Sequence, residues 1–279
     1  MAKKRIYMLL YHLFVAGLGL AMLYPVIWML MSSFKPSATV LNSNSLLHTE
    51  WTLSNYTTGW RGFGGLSFAV FFRNSFIVSL LNTIGAAISS SLVGYGLGRF
   101  KFRGRNLLFT LVLLSMMLPA QILMVPRYLW FNALGWVGTY LPLTVPAYFA
   151  TTSFFIYLTM NFISSIPREL DEASRIDGCS YYMNYFYVIL PLSVPALVTS
   201  ALFSFMWTWE DYLGPLIYLN KSKQYTASIA LKLFSDPTTS TDYGAIFAMS
   251  ILSLIPVLLI FIFFQRYLTE GISTTGLKC

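Results

Sequence analysis

The sequence predicts an all-α membrane protein, and its composition and length carry that prediction. Of its 279 residues, 56% are hydrophobic and only 10% are charged, and the mean hydropathy is +0.64. Soluble domains carry roughly 25% charged residues, so this composition is too apolar for a water-facing surface. Membrane-spanning helices of about 20 residues fit this length about six times with room for loops. The composition excludes a disordered chain, a disulfide scaffold and a large soluble catalytic domain.

The net charge of +8 also needs an explanation, because strongly basic proteins often bind nucleic acid. Here the 18 basic residues lie between apolar runs and form no continuous stripe. No nucleic-acid partner is expected, and an excess of cations on cytoplasmic loops accounts for the charge.

Six apolar runs give the predicted spans. The first follows Lys3, Lys4 and Arg5, and it is longer than the core of about 7 to 15 residues that a cleaved signal peptide has, so we interpret it as a retained anchor. Polar, Gly-rich residues 33–74 form a predicted external loop. The spans are predicted at about 9–31, 75–97, 106–125, 139–161, 189–218 and 245–264.

Cations set the predicted orientation. Residues 99–105 hold four cations and no acid between two apolar runs, which places this loop in the cytoplasm. In the resulting topology eleven of the 18 cations lie on the cytoplasmic side, together with both chain termini. Pro119 is predicted to bend the third span, because proline removes a backbone donor.

A polar segment at residues 162–188 contains a predicted short helix with both ends marked. Pro167 suits the first helical position, acidic residues favour the first turn, and Gly178 suits the left-handed stop. Ile166, Leu170 and Ala173 follow one face, so the helix should lie against a partner. A second helical stretch is predicted at residues 180–187, before Leu190 and Pro191 open the fifth span.

This segment resembles the EAA motif of bacterial ABC importer permeases. Glu172-Ala173-Ser174 is followed after three residues by Gly178, and nine residues further by Val188, then by Leu190-Pro191. The chain is similar along most of its length to carbohydrate-uptake permeases of the maltose-permease type, specifically to the shorter, six-span partner. The family resemblance also covers residues 99–105, 207–215 and 265–271.

The resemblance implies a permease whose loop helix docks on a cytoplasmic ATPase and passes on its closing motion. The residues that carry this coupling role are Glu172, Ala173, Ser174, Arg175, Asp177, Gly178, Leu190 and Pro191. It further implies a second, non-identical permease, two ATPase subunits and an external solute-binding protein, assembled in the bacterial cytoplasmic membrane. The alternative is that the segment 162–188 is a linker that lies on the membrane surface. The inner leaflet is anionic, so a helix that lies on it should carry cations, whereas this segment carries four acids.

Energy has to come from another subunit. The chain has no Gly-x-x-x-x-Gly-Lys-Ser/Thr sequence, so no phosphate-binding loop is predicted. We expect ATP and Mg²⁺ to bind the partner ATPase and no cofactor to bind this chain. No catalytic arrangement and no metal site is predicted either, because His12 and His48 are far apart and no Cys/His spacing suits zinc.

A second candidate site lies near the outer end of the fifth span. Adjacent carboxylates within a span are costly unless they face water or a partner, and aromatic faces beside hydrogen-bonding groups suit sugars. Two interpretations stay open: a substrate path, or an aromatic belt whose acids reach the headgroups. The residues are Trp207, Trp209, Glu210, Asp211 and Tyr212.

The predicted function is the permease subunit of an ATP-driven importer for an oligosaccharide. The stretch from Trp51 to Phe72 faintly resembles permeases for uronate-bearing oligosaccharides of plant or algal origin, although Glu210 and Asp211 argue against an anionic cargo. One alternative is an ABC permease for glycerol phosphate esters or amino acids. The other is a secondary transporter or membrane enzyme that works without an ATPase.

Overall fold

The computed structural model describes residues 2–40, 50–234 and 242–273, and most of these residues are helical. The predictions for residues 41–49 of the external loop and for the last residues of the tail, 274–279, lie outside this part of the chain. The helices are Ala2–Ser32 (α1), Ser54–Arg61 (α2), Phe68–Arg99 (α3), Arg105–Met117 (α4), Met124–Ala133 (α5), Leu141–Thr144 (α6), Ser153–Ser165 (α7), Glu169–Ile176 (α8), Tyr181–Asn184 (α9), Leu190–Leu192 (α10), Val194–Glu210 (α11), Leu213–Tyr218 (α12), Ala227–Phe234 (α13) and Tyr243–Ser273 (α14).

The predicted fold class is confirmed: the chain is an all-α membrane protein. Four of the described helical segments are long and apolar enough to cross a membrane, at Ile6–Ser32, Phe68–Arg99, Leu141–Ser165 and Tyr243–Leu268. A fifth is reached if the bent pair Tyr181–Leu192 and Val194–Glu210 counts as one span. The predicted count of six is not reached by length and composition.

The third predicted span, 106–125, is not one bent helix. Helix α4 ends at Met117, after 13 residues, and Leu118 is extended with φ −78° and ψ 123°. Pro119 disfavours helical geometry at the residue before it, so the helix stops there instead of kinking. A separate helix, α5, begins at Met124.

The fifth predicted span, 189–218, is also interrupted. The helical axis bends by 73° between Leu192 and Val194, and α11 ends at Glu210 before the separate helix α12. Pro195 lacks the backbone N–H that would continue the ladder across the bend. The Ser193 hydroxyl donates to the Ile189 carbonyl at 2.7 Å, which satisfies one acceptor there.

Part of the predicted external loop, 33–74, is helical. Helix α2 occupies residues 54–61, and α3 begins at Phe68, seven residues before the predicted start of the second span. The stretch between them is irregular, as are the described residues 33–40 and 50–53, and Gly62, Gly64 and Gly65 in that stretch have positive φ values. A single Gly-rich stretch made the whole segment resemble a loop.

Packing divides the chain into two compact units, Met1–Ala69 with Ala230–Ile255, and Val70–Ile229 with Pro256–Cys279. In the first unit the Asn55 amide donates to the carbonyls of Ser33 at 2.8 Å and Lys35 at 2.7 Å, just after α1. The Ser37 hydroxyl donates to the Asp242 carboxylate, which also accepts the Ala245 N–H at the start of α14. These buried hydrogen bonds join the ends of three helices.

The second unit contains both candidate sites. One buried hydrophobic cluster lies between the end of α3, the end of α7 and the segment leading into α11. The buried members are Tyr95, Phe162, Ile163, Ile166, Tyr185, Ile189 and Ala196. This cluster holds the polar segment 162–188 against the spans, which positions the first site.

Candidate functional site

The first site is built on the amphipathic helix α8, whose outward face is acidic and apolar. Glu169 and Glu172 are exposed, Leu170 is 39% exposed and Ile176 is 87% exposed. Glu169, Asp171 and Glu172 lie in the first turn, where acids interact favourably with the helix dipole. Gly178, with φ +80°, ends the helix in the predicted left-handed conformation.

The predicted apolar strip is correct for two residues and wrong for the third. Leu170 and Ala173 are exposed on α8, whereas Ile166 precedes the helix and is buried in the cluster below it. The exposed strip therefore runs through Leu170, Ala173 and Ile176, at spacings of three residues. An uncovered apolar strip beside carboxylates suits a partner protein that offers a groove and a cation.

The inward face of α8 is fixed by charge. Asp171 pairs with Arg99, the last residue of α3, at 3.4 Å, and the two side chains are 15% and 3% exposed. Arg99 Nη1 also donates to the Ile166 carbonyl at 2.9 Å. The Asn184 amide donates to Asp171 Oδ1 at 2.9 Å, so the carboxylate is held from two directions.

A second arginine reaches in the opposite direction. Arg168, just before α8, donates from Nη1 to the Arg99 carbonyl at 3.1 Å and from Nη2 to the Gly98 carbonyl at 3.2 Å. These are terminal carbonyls of α3, which have no partner within the helix. The loop thus caps α3 while α3 anchors the loop.

The remaining predicted coupling residues flank this anchor. Ser174 is buried, and its hydroxyl donates to the Asp171 carbonyl at 2.9 Å. The Arg175 guanidinium lies over the Tyr181 ring, 4.9 Å from its centroid, which connects α8 to α9. Leu190 packs against the buried cluster, and Pro191 lies in α10, just before the bend. Asp177 is exposed at the end of α8.

The second site is a cavity of about 520 Å³ in the second unit. Polar and aromatic side chains line it, among them Asn82, Thr152, Phe155, Ser204, Trp207, Thr208, Glu210, Asp211 and Tyr212. Trp207 is 49% exposed, and its inner face stacks on Phe155 with ring centroids 5.3 Å apart. This combination of a half-exposed indole ring with hydroxyl, amide and carboxylate groups can bind a polyhydroxylated molecule.

Two of the five predicted residues, Trp209 and Asp211, make contacts that stabilise the fold. Trp209 is 5% exposed and stacks on Phe205 with centroids 5.6 Å apart, so it belongs to the core. The Asp211 carboxylate accepts the Gly214 N–H at 3.1 Å, in the first turn of α12. Asp211 is therefore a helix cap that also lines the cavity.

A neighbouring cavity of about 480 Å³ shares part of this lining. Asn82, Leu143, Thr152, Asp211 and Leu213 line both cavities. The second adds Gln121, Arg127 and Trp130, which bring an exposed cation and another aromatic ring. We call the two adjoining cavities together the groove.

Sequence reasoning missed the residues that organise both sites. Arg99 counted only as one of four cytoplasmic cations, although its side chain is buried against an acid 72 positions later. Asn82 bridges three elements, donating to the Leu143 carbonyl at 2.8 Å and accepting the Ser204 hydroxyl at 3.1 Å. An isolated amide within an apolar helix was the available signal, since such groups need partners in a membrane.

Residues 2–40, 50–234 and 242–273 contain no cluster of three His, Cys, Asp or Glu side chains that could hold a metal ion. Cys179, after α8, is a free thiol.

Residues 90–274 match the family described as "binding-protein-dependent transport system inner membrane component". The chain is 33% identical to the probable ABC transporter permease protein YurM of Bacillus subtilis, over 93% of this chain and 85% of that protein. It is 30% identical to the arabinooligosaccharides transport system permease protein AraQ of the same organism, over 98% of this chain and 96% of that protein. The trehalose/maltose transport system permease protein MalG of Thermococcus litoralis is 32% identical, with 92% of this chain and 91% of that protein covered.

Proposed function

Since the chain belongs to the family of binding-protein-dependent transport system inner membrane components, we propose that it is the permease subunit of an ATP-driven importer for an oligosaccharide. Its relatives are named as permease proteins, and the names of at least four of them refer to sugar uptake systems. The chain is accordingly a multi-pass transport subunit of an ABC transporter that works with an ATPase and a binding protein, and it is not an enzyme.

The observation that carries the coupling role is the two-sided character of α8. Its inward face is fixed to α3 through Asp171, while Glu172 is exposed beside Ile176 and Leu170 is exposed on the other flank of the helix. A helix held on one side and uncovered on the other can transmit a push from a partner. The outward face docks on a cytoplasmic ATPase subunit, with Glu172 paired to a cation of that subunit.

The orientation follows from the same proposal. Helix α8 lies in the cytoplasm, both termini lie on that side, and the membrane is the bacterial cytoplasmic membrane. The cations of residues 99–105, next to the Arg99 anchor, agree with the excess of Lys and Arg found on cytoplasmic loops.

Two ATPase subunits supply the energy, and they bind the ATP and Mg²⁺. The complex is completed by a second, non-identical permease, which covers part of the exposed apolar surface, and by a solute-binding protein on the outer side. Lipid covers the remainder of that surface, including α1, whose apolar side chains are largely exposed.

The groove formed by the two cavities is the substrate path. Trp207 lines one cavity and Trp130 lines the other, and Asn82 and Thr152 line both. An extended oligosaccharide fits such a groove better than an amino acid, because successive sugar rings can each meet an aromatic ring. Arg127 in one cavity suits the carboxylate of a uronate, whereas Glu210 in the other suits neutral hydroxyls.

An uptake experiment separates the candidate functions. The chain is reconstituted in liposomes with its partner permease, ATPase and binding protein, and uptake is measured for neutral oligosaccharides, uronate-bearing oligosaccharides, glycerol phosphate and amino acids. We expect ATP-dependent uptake of an oligosaccharide, and stronger uptake of the uronate-bearing form. Uptake that persists without ATP would identify a secondary transporter, and uptake of glycerol phosphate or an amino acid alone would overturn the sugar assignment.

A further inference from the structure

The end of α3 and the helix α8 hold each other through two arginines that point in opposite directions. Arg99 reaches from α3 into the loop, where it binds the Ile166 carbonyl and Asp171. Arg168 reaches from the loop to the carbonyls of Gly98 and Arg99. We call Arg99, Arg168 and Asp171 the reciprocal clamp.

Burial makes the clamp depend on its one acid. The Arg99 side chain is 3% exposed, and its Nε and Nη2 atoms have no hydrogen-bond partner among the described residues. Among the described residues, Asp171 is the one carboxylate within ion-pair distance of Arg99. A buried charge that loses its partner is strongly destabilised, so the clamp should open when Asp171 is neutralised.

Helix α3 connects the clamp to the groove. It runs without interruption to Arg99, and Asn82 lies 17 residues earlier on the same helix. At 1.5 Å per residue, this separation is about 26 Å, close to the thickness of a bilayer core. Asn82 lines both cavities and binds the Leu143 carbonyl and the Ser204 hydroxyl.

We propose that Arg99 and Asp171 are positioning residues that make α8 and α3 move as one body, so that a push on α8 reaches Asn82 in the groove. This inference rests on the proposed function, because it takes the ATPase as the source of the push. The docking of α8 alone does not specify which membrane helix moves with it, and this inference identifies that helix as α3. A stiff helix anchored by a charged clamp is a physical route for such coupling.

Spin-label distances test the clamp without knowledge of the cargo. Labels are placed on cysteines replacing Glu169 on α8 and Leu92 on α3, both exposed, after Cys179 and Cys279 are replaced by serine. The distance between them is measured in the complex with the ATPase, without nucleotide and after trapping with ATP and vanadate. With the clamp intact, the two distances should agree within about 2 Å, the size of a small helix shift.

Neutralising Asp171 should allow α8 to move independently of α3. In Asp171→Asn, we expect the trapped state to shift or broaden the distance by about 5 Å, on the order of one helical turn. Asp171→Glu, which keeps the charge, should restore agreement between the two states. Glu50→Gln, the same loss of charge at an exposed acid outside the segment 162–188, is the matched control and should behave like the parent.

The outcomes separate this inference from the proposed function. If no ATPase copurifies with the parent chain, the proposed function fails. If the ATPase copurifies and Asp171→Asn gives the same distances as the parent in both states, the clamp inference fails. If Asp171→Asn does not assemble, the same distances are measured in Arg99→Lys, which keeps the positive charge but loses the planar guanidinium group. Distances in Arg99→Lys that match those of the parent would overturn the inference.

Discussion

Trp207 and Trp209 lie two residues apart on α11 and have opposite environments. Trp207 is half exposed in the groove, while Trp209 is packed among Phe76, Phe205 and Val257. Positions two apart differ by about 200° around a helix, so they face opposite sides. One tryptophan is therefore free to contact substrate, and the other stabilises the fold.

The two alanine variants should separate these roles. Trp207→Ala is expected to raise the KM for oligosaccharide uptake about tenfold, roughly the 1.4 kcal/mol of an aromatic contact, with little change in Tm. Trp209→Ala should lower stability by about 3–5 kcal/mol through a core cavity. Thermal unfolding in detergent measures the stability of each variant, and uptake kinetics measure its KM. A large Tm loss in Trp207→Ala with normal KM would contradict the assignment.

The sequence could identify this cluster but not divide it. Its aromatic and acidic composition predicted a site near the end of the fifth span, and Trp207 and Glu210 do line a cavity. Composition cannot tell which helical face points inward when both faces are aromatic. Asp211 was similarly ambiguous, because its capping bond to Gly214 depends on α11 ending at Glu210.

At the scale of elements, small residues set the contact between α3 and α7. A Cβ atom on Gly94 would lie 3.0 Å from the backbone nitrogen of Met160, and one on Gly98 would lie 3.3 Å from the Met160 carbonyl oxygen. The two glycines are one turn apart, as in small-x-x-x-small contacts within membranes. They let the helix that carries the Arg99 anchor lie directly against the helix that leads into α8.

Gly94→Leu should force these helices apart. We expect a loss of stability of at least 1–3 kcal/mol, roughly the cost of overpacking, and reduced copurification of the ATPase because the anchor of α8 shifts. Gly96→Leu is the matched control, since a Cβ on Gly96 meets nothing within 4 Å on the same helix. Thermal unfolding of both variants checks this. Equal stability of Gly94→Leu and Gly96→Leu would contradict the packing account.

The sequence predicted the existence of elements better than their ends. Small residues indicated that the second span packs within a bundle, and charge and end signals located α8 to within two residues of its observed ends. Pro119 and the bend at Ser193 were misjudged, because proline can end, kink or open a helix and the choice depends on tertiary packing. The sequence likewise could not predict which helix packs against Gly94, because the spacing of small residues on one helix does not identify the neighbouring helix.

For the whole molecule, the scarcity of charge is the organising fact. Four of the ten acids lie in the segment 162–188, and there they divide by role: Asp171 faces inward to Arg99, while Glu169, Glu172 and Asp177 face outward. The sequence could predict the segment and its helix. It could not predict the inward pair, because Arg99 and Asp171 are brought together only by the packing of α3 against α7.

The central claim is that the outward face of α8 docks on the ATPase. Measuring ATPase copurification and uptake with Glu172→Lys tests this claim most directly. Reversing this exposed charge on the outward face of α8 should abolish copurification of the ATPase and ATP-dependent uptake, because the docking cation would meet a like charge. Glu50→Lys, the same reversal at an exposed acid outside the loop, is the control and should retain both. Full assembly and normal uptake by Glu172→Lys would contradict the account.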